Sequence, residues 1–129
     1  MTQTYEAEKK RVRAAAYPYE QAFVAGGAIT GVFTAKPIHD ADIYFKSRAA
    51  FEVAVFQSYE EGLWCVNASK RAVTFSDNGK ILQLMHFGYF PTAEDIFKAF
   101  DFTINMAALD LDTNEFTFHD DFLKHNAQR

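Results

Sequence analysis

Residues 24–45, VAGGAITGVFTAKPIHDADIYF, constrain this chain more than any other stretch. A short apolar run ends in Gly26-Gly27. Twelve residues follow, and then two aspartates one residue apart, Asp40 and Asp42, sit inside a second apolar run. Twelve residues accommodate about two to three helical turns plus a loop, at ~1.5 Å rise per residue. The window therefore reads as strand 22–25, glycine turn, helix 28–35, a break at Lys36-Pro37 and strand 41–45. The returning strand would bring both carboxylates back beside the turn. A backbone bend without side chains, facing two acids, suits a metal-bound phosphate.

The period-two rule puts Asp40, Asp42 and Tyr44 on one face of the returning strand and Ile43 and Phe45 on the other. Upstream, residues 4–16 are mostly good helix formers, with Thr4 as cap and Pro18 beyond the end. Downstream, Phe51, Val55 and Tyr59 recur every four residues, so 47–60 reads as a helix capped by Ser47 and stopped by Gly62. The period then changes to two over 63–67, 71–76 and 80–87, with Asp77-Asn78-Gly79 as a hairpin turn. Thr92 opens a short helix over 92–99, with Glu94 and Asp95 at its positive end. Residues 100–110 and 115–118 read as strands joined through Asp112-Thr113-Asn114, and 120–127 as a last short helix. These elements predict an α+β fold: a mixed sheet flanked by helices, in one domain spanning 1–129.

Composition narrows the function classes. With 49% apolar residues, including 14 Phe, the chain has ample material for a packed core. The net charge of −4 argues against nucleic-acid binding through bulk charge. A single cysteine, Cys65, excludes an internal disulfide and suits a reducing compartment. No stretch reaches the ~20 apolar residues needed to cross a bilayer, and the charged N-terminus lacks a signal segment. We expect a cytoplasmic protein without a membrane partner.

Asp40 and Asp42 lie ~6.5–7 Å apart along their strand. Two ionised acids so close repel unless a cation is shared, and magnesium favours carboxylates together with phosphate oxygens. A third acid stands in Phe100-Asp101-Phe102, between aromatics on a predicted strand, where an unpartnered charge is costly. If that strand neighbours 40–45, the three acids form a cage for two metal ions ~3.5–4 Å apart. A glycine pair, an Asp-x-Asp or a lone acid has by itself a bland reading as turn, loop or surface charge. The order of strand, glycine turn, helix and acidic strand carries the specificity.

Ala25-Gly26-Gly27, the spacer, Asp40-Ala41-Asp42-Ile43 and Phe100-Asp101-Phe102 together resemble the DNA polymerase beta-like nucleotidyltransferase superfamily. The run Asp101-Phe102-Thr103-Ile104-Asn105 is similar to the Arg-Asp-Phe-Thr-Ile-Asn segment of the tRNA CCA-adding branch. The AGGAIT, DADIYF and FDFTINMAA segments are closer still to small phage-encoded nucleotidyltransferase-like proteins. The resemblance implies Asp40, Asp42 and Asp101 as catalytic and metal-binding residues of a two-magnesium site. It implies Gly26 and Gly27 as the phosphate-contacting turn of a nucleoside triphosphate site, to which Thr30 and Lys36 are added as candidate phosphate contacts. The implied reaction moves a nucleoside monophosphate from the triphosphate to a hydroxyl of a protein, RNA or small-molecule acceptor, releasing pyrophosphate. Ala99-Phe100 replaces the arginine that precedes the third acid in the CCA-adding branch, and no base-selecting helical region is expected before Arg129.

A second class of function uses the same fold without turnover: a phage-encoded inhibitor or scaffold that docks on a host protein through exposed aromatics. Other polar residues have plainer readings. His39 is a loop histidine, and His86, His119 and His125 lack zinc-ligand spacing. Arg48, Lys70 and Arg71 read as surface charges. Phe87, Tyr89 and Phe90 read as packing residues before base-stacking ones.

Overall fold

The computed structural model describes residues 5–16, 19–26, 29, 40–99 and 107–118. The expected helix 120–127, the expected helix 28–35 except Ile29, and the site candidates Gly27, Thr30, Lys36 and Asp101 lie outside these residues. The described elements are α1 (Glu6–Ala15), β1 (Ala22–Ala25), β2 (Asp40–Phe45), α2 (Arg48–Glu60), β3 (Trp64–Ala68), β4 (Ala72–Asp77), β5 (Lys80–Met85), α3 (Ala93–Lys98), β6 (Ala107–Asp110) and β7 (Glu115–Phe118). The strands form one mixed sheet in the order β3-β4-β5-β2-β1-β6-β7. Only β2 and β5 pair in parallel; the other neighbours are antiparallel. This is the α+β architecture that the sequence predicted.

Alternation on the strands builds two cores. One face carries Val24, Ile43, Phe45, Phe75, Leu82, Leu84 and Leu109, packed against Val12 of α1 and Ala50 and Ala54 of α2. Phe45 is fully buried there, and removing such a side chain from water is worth about 1.5–3 kcal/mol. The other face carries Phe23, Ala25, Tyr44, Met85 and Ala108 under Ile96 and Phe97 of α3. β1 is buried at all four positions because both faces are covered, so it reads as an unbroken apolar run.

The helix ends follow local chemistry. Ser47 accepts a hydrogen bond from the Ala50 amide at 3.1 Å and caps α2. At the other end Gly62 adopts φ +81°, while the Gly62 and Leu63 amides donate to the Tyr59 and Ser58 carbonyls. These two bonds stop the helix and explain why β3 begins at Trp64 and not at Leu63. Thr92 and Asp95 cap α3 reciprocally. Asn78 and Gly79 both take positive φ, closing the two-residue turn between Asp77 and Lys80.

Two expectations need correction. The N-cap of α1 is Tyr5, in the left-handed region and without a side-chain cap, in place of Thr4. Its ring is recruited to the sheet edge instead, edge-on to Phe116 and Phe118 at 6.0 and 5.8 Å. And β5 ends at Met85, short of 87, because the chain leaves the sheet so that Phe87 and Phe90 can pack edge-on against Tyr44 at 6.2 and 5.8 Å.

Candidate functional site

β1 ends at Ala25, and Gly26 turns the chain away with φ +85°, a conformation that side chains with a Cβ rarely adopt. The Ile29 amide closes the turn on the Gly26 carbonyl at 3.1 Å, and Ile29 is buried. β2 returns antiparallel to β1 with Asp42 opposite Ala25. The Asp42 carboxylate therefore lies against the glycine turn: a Cβ on Gly26 would sit 3.5 Å from Oδ2. The register brings together the turn and the acidic strand, as the 24–45 pattern predicted.

Asp42 is half-buried and Asp40, one pleat earlier on the same face, is exposed. Burial pushes the Asp42 carboxyl above its ordinary 3.8, and the Asp40 charge pushes it further. Neither acid forms a salt bridge with a described cation. Two carboxylates in mutual repulsion, one partly desolvated, form a hard-oxygen donor pair suited to magnesium. Among the described residues no group of three metal-ligating side chains converges. Asp40 and Asp42 are the described part of the expected set.

Sheet order decides where a third acid can enter. β6 pairs with β1 and not with β2, because β1 occupies the position between them. Its first described residue, Ala107, nonetheless lies at the Gly26 end of the sheet, since Ala108 opposes Ala25. Ala108 also shares the Asp42 face. On a period of two, a strand running unbroken from 101 to 110 would put position 101 on the face opposite to 108 and 110. A cage that includes Asp101 hence requires a break in that period upstream of Ala107.

The site face extends across β5 and β4. Thr74, Gln83, Asp42, Ala25 and Ala108 form one row across five strands. Trp64, Ser76, Ile81 and Asp40 form the next. α3 covers the far end of this face, leaving a mostly polar floor beside the two acids.

Tyr44 is the neighbour whose part the sequence left unassigned, although the alternation had put it on the Asp42 face. Burial, and then the Asp42 charge, raise its phenol well above the ordinary 10.0, while Arg71 acts in the opposite direction. The Arg71 guanidinium lies over the Phe87 ring at 4.4 Å, so this residue is held toward the site face and is more than a solvated charge. Phe87 and Phe90 are packing residues on Tyr44, and Tyr89 packs near Phe51, with ring centroids 6.4 Å apart.

Comparison with known proteins fixes the family. The sequence profile of the Gabija anti-defense 2 family matches residues 2–129. The chain belongs to that family. Within it, the protein "Gabija anti-defense 2" of Bacillus phage SPbetaL7 is 43% identical over 109 residues, 84% of this chain. The chain spans 27% of that relative's length. Two solved structures share the fold. One is a tRNA-processing enzyme in apo form, with TM-score 0.69 and 18% identity over 98% of this chain and 36% of its own. The other is a tRNA nucleotidyltransferase complexed with a primer tRNA and an incoming ATP analogue, with TM-score 0.62 and 16% identity over 80% of this chain and 32% of its own. This member of the anti-defense family thus has the nucleotidyltransferase fold that its glycine turn and acidic strand implied, and a phage relative. Among its described residues no helix is long and apolar enough to cross a membrane.

Proposed function

We propose that this protein is a magnesium-dependent nucleotidyltransferase whose activity serves the anti-defense role of its family. One observation carries the reading: a partly desolvated carboxylate, Asp42, without a salt bridge to any described cation, held against the positive-φ turn at Gly26. Magnesium, when bound, supplies charge neutralisation at the phosphates and lowers the cost of deprotonating the acceptor hydroxyl. Asp40 and Asp42 would hold it, with Asp101 as the third ligand. Gly26 and Gly27 present bare backbone to the triphosphate, with Thr30 and Lys36 as further phosphate contacts. The acceptor oxygen attacks the α-phosphorus in line and pyrophosphate leaves from the side of the glycine turn. On this reading residues 1–129 act as one nucleotidyltransferase-like domain working in the host cytoplasm. The two structural neighbours by name involve tRNA, whereas the family name favours a host defense protein as acceptor.

The test is transfer of label from α-labelled nucleoside triphosphate, with magnesium, into host proteins and RNA. The parent transfers label and Asp42→Asn loses it by about 10²–10³-fold, the scale of removing one transition-state contact. Equal transfer by both defeats the assignment. A second reading, docking on a defense protein without turnover, is favoured by the exposed apolar residues Phe56, Tyr59 and Trp64. It predicts that Asp42→Asn retains full anti-defense activity.

A further inference from the structure

β3 is an edge strand, and nothing among the described residues covers it. All five residues, Trp64 to Ala68, are exposed, and none is charged or proline. Edge strands are normally blunted by such residues or by bulges, because their free N–H and C=O groups template pairing with another chain; β3 carries only the irregularity at Val66. The opposite edge is managed: β7 is mostly half-buried, with Tyr5 packed on its two phenylalanines. Apolar surface flanks the free edge on both sides. Trp64 is 77% exposed on the face of Asp40, and Val66, which has no Cα partner on β4, is 58% exposed. On the other face α2 presents Phe56 at 67% and Tyr59 at 57%, with Tyr59 edge-on to Phe75 at 5.2 Å. Rings of this size expose, over the two faces together, on the order of 400–500 Å² of largely apolar surface.

The charges at the two ends of the strand say which partner fits. Glu60 and Glu61, both exposed, precede β3; Lys70 and Arg71, both exposed, follow it. In an antiparallel pairing of two identical strands, the acidic end of each copy meets the basic end of the other. Pairing about Val66, the bulged residue of β3, sets Glu61 opposite Arg71 of the second copy. The symmetry is closed, so each contact occurs twice. It also joins the two sheets with both acidic sites on the same side.

We propose that β3 is the edge through which two copies of this chain pair antiparallel into one continuous sheet. The dimer does not depend on the catalytic reading, and Asp42→Asn leaves it intact. Sedimentation of the full chain across a concentration series reads it directly, and a short bismaleimide spanning Cys65, the chain's single cysteine, locates the contact. The expected result is a reversible dimer, cross-linked through Cys65 and weakened at least tenfold by Val66→Lys with unchanged circular dichroism. Glu61→Lys weakens it, and adding Arg71→Glu restores it. A parent that stays monomeric, or a dimer that Val66→Lys leaves intact, overturns the proposal.

Discussion

The Asp42 carboxylate and the Gly26 turn face each other across the end of β1, with 3.5 Å between Oδ2 and the point where a Cβ on the glycine would stand. Both sides of this contact are unfavourable for stability alone. A positive-φ residue interrupts the chain, and a carboxylate is partly buried beside another acid. Such local cost is expected where a site is prepared for a charged ligand.

Gly26→Ala tests the turn. Holding an alanine at φ +85° costs roughly 1–2 kcal/mol and adds a methyl group beside the carboxylate. Urea unfolding reads the first effect. Nucleotide titration under conditions where the variant is fully folded reads the second, and affinity should fall there too. A variant destabilised but with unaltered nucleotide affinity would separate the turn from phosphate binding.

Asp42→Asn has opposite effects on stability and function. The folded pKa of Asp42 lies above its ordinary value, so above that pKa the ionised carboxylate opposes folding. The isosteric amide removes this penalty. Without metal at neutral pH the variant should be more stable than the parent, by about 0.5–2 kcal/mol, the usual scale of one stabilising change. Unfolding curves in EDTA measure it, and the gain should vanish in acid, where the parent carboxyl is protonated. A less stable variant at neutral pH would mean that an ionised Asp42 is already compensated.

Lys46 provides the pH dependence of the sheet. Its ammonium donates to Asp110 and Asp112 at 3.0 and 2.9 Å and lies over the Phe23 ring, tying the end of β2 to the β6–β7 turn. Burial raises the Asp112 carboxyl, but hydrogen bonds from Lys46 and the Gln21 amide outweigh it, and the net pKa lies below 3.8. A depressed acid contributes stability that is present above pH 3.8 and lost as pH falls through the lower folded value. Burial lowers the Lys46 ammonium, but its bonds to the two acids raise it above 10.5, so its contribution is present below that value and lost as pH rises through the folded pKa. Both groups are partly solvated, so the total is about 1 kcal/mol or less. Lys46→Met should flatten the acid limb of the stability curve, measured by urea midpoints between pH 2.5 and 6. An unchanged limb would assign the acid sensitivity elsewhere.

Legibility in the sequence followed local determinants. β1 and β7 match their expected bounds because glycine or turn residues punctuate short apolar runs. The Ser47 cap, the Gly62 stop and the Asn78-Gly79 turn were readable for the same reason. The adjacency of Asp42 to Gly26 was legible because a fixed spacer joins them. Strand order was not: no local signal says that β1 sits between β2 and β6, since that follows from hydrogen bonding on both edges of a short buried strand. Nor was the role of Lys46, whose two acids lie 64 and 66 residues away. Phe87 extended the apolar alternation of β5 but was drawn off by the Tyr44 ring, where tertiary packing overrides pattern.

The most direct test of the site is the thermal midpoint of the parent and of Asp42→Asn, with magnesium and each of the four nucleoside triphosphates separately and together. A ligand that binds only the folded state raises the midpoint. The account predicts that at least one nucleotide raises the parent's midpoint, only with magnesium present, and that Asp42→Asn loses this rise. No rise with any nucleotide, or an equal rise in the variant, would contradict it.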